Sequence, residues 1–166
     1  MKKNNLLIPI ILIVLFVIII IIVFGHGGSS SKANIEPSKS CKLVSDQSAS
    51  GYVVTTGYEI YSTDGIVDKV KQFEIVDSKD KNIIDFFKTQ FNNQNKSTNE
   101  KYGGYTYIVL KLKNRVTNSI TIDYSKFDMK KFANDNSGME GYINKDNRLT
   151  LDGALKMYTS IGATCK

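Results

Sequence analysis

Tryptophan is absent from the 166 residues, histidine occurs once, and proline and cysteine occur twice each. The one histidine is His26, so residues 41–166 hold none. That removes the commonest general base, and with it the Ser-His and Cys-His pairs of nucleophilic catalysis. Two cysteines and one histidine cannot supply the four ligands of a structural zinc site. Cys41 and Cys165 are far from Cys-x-x-Cys spacing, which excludes a thioredoxin-like redox pair. Lysines are interspersed with acids, as in Asp77-Ser78-Lys79-Asp80-Lys81, and nothing resembles the basic cluster that a nucleic-acid partner requires. Tyr102-Gly103-Gly104-Tyr105 has no lysine and no following helix, so it is not a phosphate loop.

Against these absences stands one long apolar run. Leu6 to Phe24 contains a single exception, Pro9, and Ile18 to Ile22 are five isoleucines in succession. As a helix it would measure roughly 28 Å, about the thickness of a bilayer's hydrocarbon core. A run apolar on every face cannot be surrounded by so small a domain, so residues 6–24 are expected to cross the membrane. The run exceeds a signal peptide's usual h-region, and Gly25-His26-Gly27-Gly28 offers no cleavage site beside it, which favours an uncleaved signal anchor. Lys2 and Lys3 flank the span on one side while residues 25–31 carry no Lys or Arg. The positive-inside rule then places residues 1–5 in the cytoplasm and the C-terminal domain outside the cell, on a single-pass protein of the cell membrane.

Residues 25–40 are rich in Gly and Ser and read as a flexible linker with a reach of roughly 20 to 25 Å. The folded part is expected over residues 41–166, one α+β domain with a net charge of +3 out of the chain's +6. Cys41 and Cys165 stand at its two ends, and outside the membrane an even count predicts a disulfide. Closing so long a loop is worth about 4 to 5 kcal/mol on the chain-entropy model.

Alternation from Tyr52 to Ile60 marks a strand, Thr63-Asp64-Gly65 a turn, and Ile66 to Val76 a second strand whose apolar parity changes, as a bulge would cause. Ser78 is expected to cap a helix with Ile83, Ile84, Phe87 and Phe91 on one face, ending near Asn93, with a polar loop from Asn92 to Lys101. A second hairpin is expected from Tyr102–Lys113 and Val116–Tyr124, turning through Lys113-Asn114-Arg115. It would face Ile108, Leu110 and Leu112 inward, opposite Val116, Ile120 and Ile122. Ser125 and Asp128 have capping-box spacing for a short helix. A last helix starts near Thr150, buries Leu151, Leu155 and Tyr158, and stops at Gly162. The predicted order is ββαββαα, an antiparallel sheet of two hairpins covered by helices on one face.

Several segments carry a resemblance: Tyr102-Gly103-Gly104-Tyr105, Thr121-Ile122-Asp123-Tyr124-Ser125-Lys126, Leu149-Thr150-Leu151-Asp152-Gly153-Ala154-Leu155 and Gly162-Ala163-Thr164-Cys165-Lys166. Over residues 41–166 the chain resembles small membrane-anchored extracytoplasmic proteins of unknown function from low-GC Gram-positive bacteria, and more distantly the YehR-like lipoproteins. The resemblance implies an extracytoplasmic α+β domain and assigns no catalytic residue.

Chemistry is sparse. Asn144, Asp146 and Thr150 fall in a polar run loosely like a calcium loop, but Tyr142 takes the place of its first Asp and Asn147 that of its turn glycine, so no metal and no cofactor are expected. Glu59, Asp64, Asp68, Glu74 and Asp123 lie on or beside strands, where carboxylates are ordinarily solvated. The nine tyrosines are more informative. With Ile108, Leu110 and Leu112 inward, Tyr105 and Tyr107 would face solvent, and Tyr61 and Tyr102 could join them as a flat, amphipathic binding face for a surface protein, a peptide or a cell-wall glycan. The expected function is a non-catalytic binding or interaction domain at the cell surface. The alternative is a structural subunit of an envelope or pilus-like assembly, and a third reading is a carboxylate-dependent hydrolase.

Overall fold

A computed structural model describes residues 36–166. The expected cytoplasmic N-terminus, the span 6–24 and the linker up to residue 35 lie outside the described residues. Among the described residues no helix is long and apolar enough to cross a membrane.

The elements are β1 (Lys39–Gln47), β2 (Tyr52–Thr63), β3 (Ile66–Ser78), α1 (Lys81–Tyr102), β4 (Tyr105–Lys111), β5 (Arg115–Asp123), α2 (Met129–Asp135), α3 (Leu151–Ser160) and β6 (Thr164–Cys165). All six strands join one antiparallel sheet in the order β4-β5-β3-β2-β1-β6. The α+β class stands, but the order ββαββαα does not, because a strand is added at each end. β1 alternates too weakly to announce itself, with Cys41 and Leu43 on one side and Lys42, Val44 and Asp46 on the other. It forms because it pairs with β2 from Lys39↔Ile60 to Gln47↔Tyr52, which draws Lys39 and Ser40 out of the linker and into the sheet.

β6 is held by the disulfide Cys41–Cys165. Ser40 and Lys166 exchange both backbone hydrogen bonds, so the neighbouring Cys41↔Cys165 pair is of the non-hydrogen-bonded kind, where the chains approach most closely. Its Cα atoms are 3.9 Å apart. The expected bridge between the two ends of the domain is therefore present.

The described helices all lie on one face of the sheet. Side chains there form two apolar clusters, one around Tyr58, Ile60, Val70, Ile120, Ile122, Ala154 and Tyr158, and a smaller one around Val54, Val76, Ile84, Phe91 and Val116. β3 carries a bulge, but ahead of Val70, so it is not the cause of the expected parity change between Ile66/Val70 and Phe73/Ile75: the register is unbroken from Lys69 onward, and Phe73 and Ile75 lie on the opposite face from Val70 and Val76. Tyr61 pairs with Lys69 but Ser62 with Val67, leaving Asp68 extra, so that Val67 and Val70 both reach the core three residues apart.

α1 is longer than its apolar pattern suggests. Asp80, not Ser78, caps it, its carboxylate accepting from Asn82 N at 2.8 Å. It then continues through the polar tract to Tyr102, because Ile84, Phe91, Asn95 and Tyr102 recur at helical spacing on the buried side. Asn95 earns its buried place by a hydrogen bond to the sheet. α2 begins three residues later than the Ser125 box implies, with the Asp128 carboxylate accepting from Lys131 N. Thr150 caps α3, and Gly162 follows its end in the left-handed region at φ 92°.

Candidate interaction surface

The β4–β5 hairpin decides which side chains face outward. Leu112 N donates to Arg115 O, so the chain turns through Lys113-Asn114 alone, and β4 pairs as Lys111↔Val116, Val109↔Asn118, Tyr107↔Ile120 and Tyr105↔Ile122. The expected three-residue turn would have set Leu112 opposite Val116. One residue fewer flips every side chain of the strand to the other face. Tyr105, Tyr107 and Val109 therefore join Ile120 and Ile122 beneath the helices, while Ile108, Leu110 and Leu112 point away and are 62%, 59% and 61% exposed.

The expected tyrosine face is not assembled. Tyr105 is buried near Phe127, and burial pushes its hydroxyl well above the ordinary value. Tyr107 is half-buried on the same covered face. Tyr102 closes α1, packed edge-on to Phe132 at 5.2 Å, with its hydroxyl donating to Asp135. Of the four only Tyr61 belongs to the uncovered face, and it too is buried, with Lys69 Nζ 4.2 Å from its ring centroid and its hydroxyl donating to Glu59 at 2.7 Å.

The face that no described helix covers has a graded composition. Register places Val44, Thr55, Ile75, Thr117 and Leu110 in one row across five strands, and Lys42, Gly57, Phe73, Ser119 and Ile108 in the next. Ile75 is buried at the centre of its row, Val44 is 53% exposed at one side, and Leu110 stands at the other. Nearer the chain's entry the face turns polar, with Tyr61, Glu59, Lys69 and Lys71, and Lys71 pairs with Glu59 at 3.4 Å. At the far end Arg115 grips Asp77 through two hydrogen bonds of 2.7 and 2.9 Å. An apolar and hydroxyl band thus crosses the sheet between two charged margins. Its exposed large apolar side chains are Val44 at one side and Ile108 and Leu110 at the other, and a grouping such as Ile108, Leu110 and Leu112 is the usual mark of a contact surface, where single surface hydrophobes are ordinary.

Polar chemistry on the covered face is structural. Glu74, expected to be solvated, is buried in β3 and accepts from Asn118 Nδ2 at 2.7 Å, and Asn118 Oδ1 accepts from Asn95 of α1 at 2.7 Å. This thread pins the helix to the sheet between the two apolar clusters. Sequence reading missed it because asparagines on polar tracts look like loop residues, although Asn95 and Asn118 each fall on the buried period of their element. The calcium-like run uses its oxygens on its own backbone: Asn144 Oδ1 accepts from Asp146 N and Arg148 N, and Thr150 Oγ1 from Gly153 N.

No protein-family model and no curated protein matches the chain. Two solved structures are similar. One is the YehR protein of Escherichia coli, at 18% identity and a TM-score of 0.50, covering 81% of this chain and 93% of that one. The other is a protein from Streptococcus pneumoniae TIGR4, at 13% identity and a TM-score of 0.46, covering 88% and 94%. At these identities the likeness to YehR is one of fold: the described residues fold as an α+β domain similar to it.

Proposed function

We propose that this chain is a non-catalytic interaction domain, held outside the cell membrane by residues 6–24, whose contact surface is the uncovered face of the sheet. The observation that carries the reading is the asymmetry of the fold: every described helix lies on one face, while the other bears the band running from Val44 through Ile75 to Leu110 and Ile108. The buried carboxylate favours the same reading, since Glu74 is engaged in binding Asn118 rather than presented to a cleft. The apolar run and the lysines before it support the outward location.

In-cell photo-crosslinking tests the reading. A photoreactive residue at Ile108 should give cross-linked products, and one at Lys96, exposed on α1, should give none. Silence from Ile108, or equal yields from both positions, would defeat it.

A further inference from the structure

The open band ends at an unusual strand. β4 is the last in the sheet order, and its ladder bonds show which of its backbone groups are committed. Asp123 N donates to Gly104 O and Leu112 N to Arg115 O, so the even-numbered residues turn their backbone toward β5. By the alternation of an antiparallel ladder, Tyr107, Val109 and Lys111 turn theirs outward, where no described strand lies. Tyr105 N is already taken by Asn99 Oδ1 at 3.2 Å.

Edge strands are ordinarily blunted by proline, bulges or outward charge. β4 has no proline and no register break against β5, and its exposed side chains after Thr106 are Ile108, Leu110 and, just past the strand, Leu112. Its one charge, Lys111, lies on the covered side and pairs with Asp85 of α1.

We infer that this edge pairs with the same edge of a second copy of the chain, the two β4 strands running antiparallel about a two-fold axis at Leu110. In that register Leu110 meets Leu110 of the second copy, and Ile108 and Leu112 of each copy meet Leu112 and Ile108 of the other. All six apolar side chains then form one row. On the covered side Lys111 falls opposite Val109 and Lys113 opposite Tyr107, so no like charges are opposed. The outward backbone groups of Val109 and Lys111 are in phase to bond those of the second copy. What names a second copy as the occupant is the self-complementary order Ile108, Leu110, Leu112, three exposed apolar side chains with Leu110 at their centre.

A strand pair of this length buries less than the roughly 1,200 Å² of a standard interface, so the association is weak in free solution and populated when both copies share a membrane. The two-fold stands perpendicular to the sheet, so both open faces lie on one side of the doubled sheet. The inference rests on the open face being a contact surface, of which Ile108, Leu110 and Leu112 at the β4 side are the part that the second copy covers.

The test is oxidative cross-linking of the full chain in phosphatidylglycerol and phosphatidylcholine vesicles. A two-fold at Leu110 makes residue 110 a non-hydrogen-bonded pair with itself, the same kind of pair that Cys41 and Cys165 form in this sheet. Leu110→Cys should therefore run mostly as a disulfide dimer. An equimolar mixture of Ile108→Cys and Leu112→Cys should cross-link to each other, and Thr117→Cys, one strand inward, should remain monomeric. All four positions lie on the open side of the sheet, so the core and the native disulfide are undisturbed. Monomeric Leu110→Cys together with an unreacted mixture overturns the inference, as does equal cross-linking from Thr117→Cys. A bimane label on Leu110→Cys then separates the failures. Quenching by doxyl-labelled lipids in a monomeric chain would make the bilayer the occupant and keep the contact surface. No quenching, with no products from the Ile108 photo-crosslinker, would end both readings.

Discussion

Replacing Asn118 by alanine should destabilise the domain by about 3 to 5 kcal/mol. Asn118 is 1% exposed in the middle of β5, and its side chain makes two hydrogen bonds of 2.7 Å, one to the Glu74 carboxylate and one from the Asn95 amide. A bond to a charged group contributes about 1.5 to 3 kcal/mol and a neutral one about 1. Truncation also leaves the Asn95 amide, itself 3% exposed, without this partner, at a further cost of about 1 to 3 kcal/mol that overlaps the lost bond. In a domain whose total stability is about 5 to 15 kcal/mol, such a loss lowers the melting temperature by about 10 to 20 °C. The assay is urea unfolding of residues 36–166, which carry the whole sheet, both clusters and the disulfide, followed by tryptophan-independent circular dichroism. The midpoint should fall with an unchanged slope. Asn118→Asp retains the shape but sets a second carboxylate against Glu74, so one of the two must hold a proton. Its folded-state pKa is raised, hence its stability is fullest below the ordinary carboxylate range and declines as pH rises above about 4. A loss under 1 kcal/mol in Asn118→Ala, or a pH-independent penalty in Asn118→Asp, would refute the idea that this thread fastens α1 to the sheet.

Three further outcomes are expected. Replacing Cys41 and Cys165 together by serine should cost about 4 to 5 kcal/mol in the same unfolding assay, because the lost bridge closes a 124-residue separation; a cost near zero would show that the chain ends stay paired without it. Gly153→Ala should be destabilising by about 1 to 3 kcal/mol, since an added Cβ would lie 2.0 Å from Tyr142 O and force the loop before α3 to shift; a wild-type melting temperature would contradict that packing. Lys101 and Lys131 each bond the Asp135 carboxylate and hold its pKa down at about 2. Because the folded-state value is depressed, this contribution is present above the ordinary range near 4 and is lost as pH falls toward 2. Carboxyl-detected NMR should find that titration and see it move upward in Lys101→Ala, whereas a midpoint near 4 in the unaltered protein would refute it.

What the sequence made legible, and what it hid, both follow from how information is encoded. The α+β class, the cap at Thr150, the stop at Gly162 and the Cys41–Cys165 bridge are local or compositional, and each has a residue that announces it. The face of β4 is different. Both its parities are plausible, Tyr-Tyr-Val on one side and Ile-Leu-Leu on the other, and only the turn length chooses between them. Lys113-Asn114 offers no glycine to mark a two-residue turn, so hydrophobicity favoured the wrong set. The tyrosine side won the core because Ile120 and Ile122 fix the face of β5 and the hairpin register carries it across. β1 and the second half of α1 were hidden for a related reason: their positions are held by partners remote in sequence, β2 in one case and Asn118 in the other.

The central claim is that the open face of the sheet is bare in the isolated domain and covered in the cell, outside the membrane. Single cysteines at Val44, Ile108 and Leu110, with Lys96→Cys as reference, allow one measurement of it with a membrane-impermeant maleimide. In purified residues 36–166 all four should react quickly; on intact cells Lys96→Cys should still react while Ile108→Cys and Leu110→Cys are slowed tenfold or more. Slow reaction of Ile108→Cys in the purified domain would contradict the register of β4, no reaction of Lys96→Cys on intact cells would contradict the outward location, and equal rates at all positions on cells would contradict the contact surface.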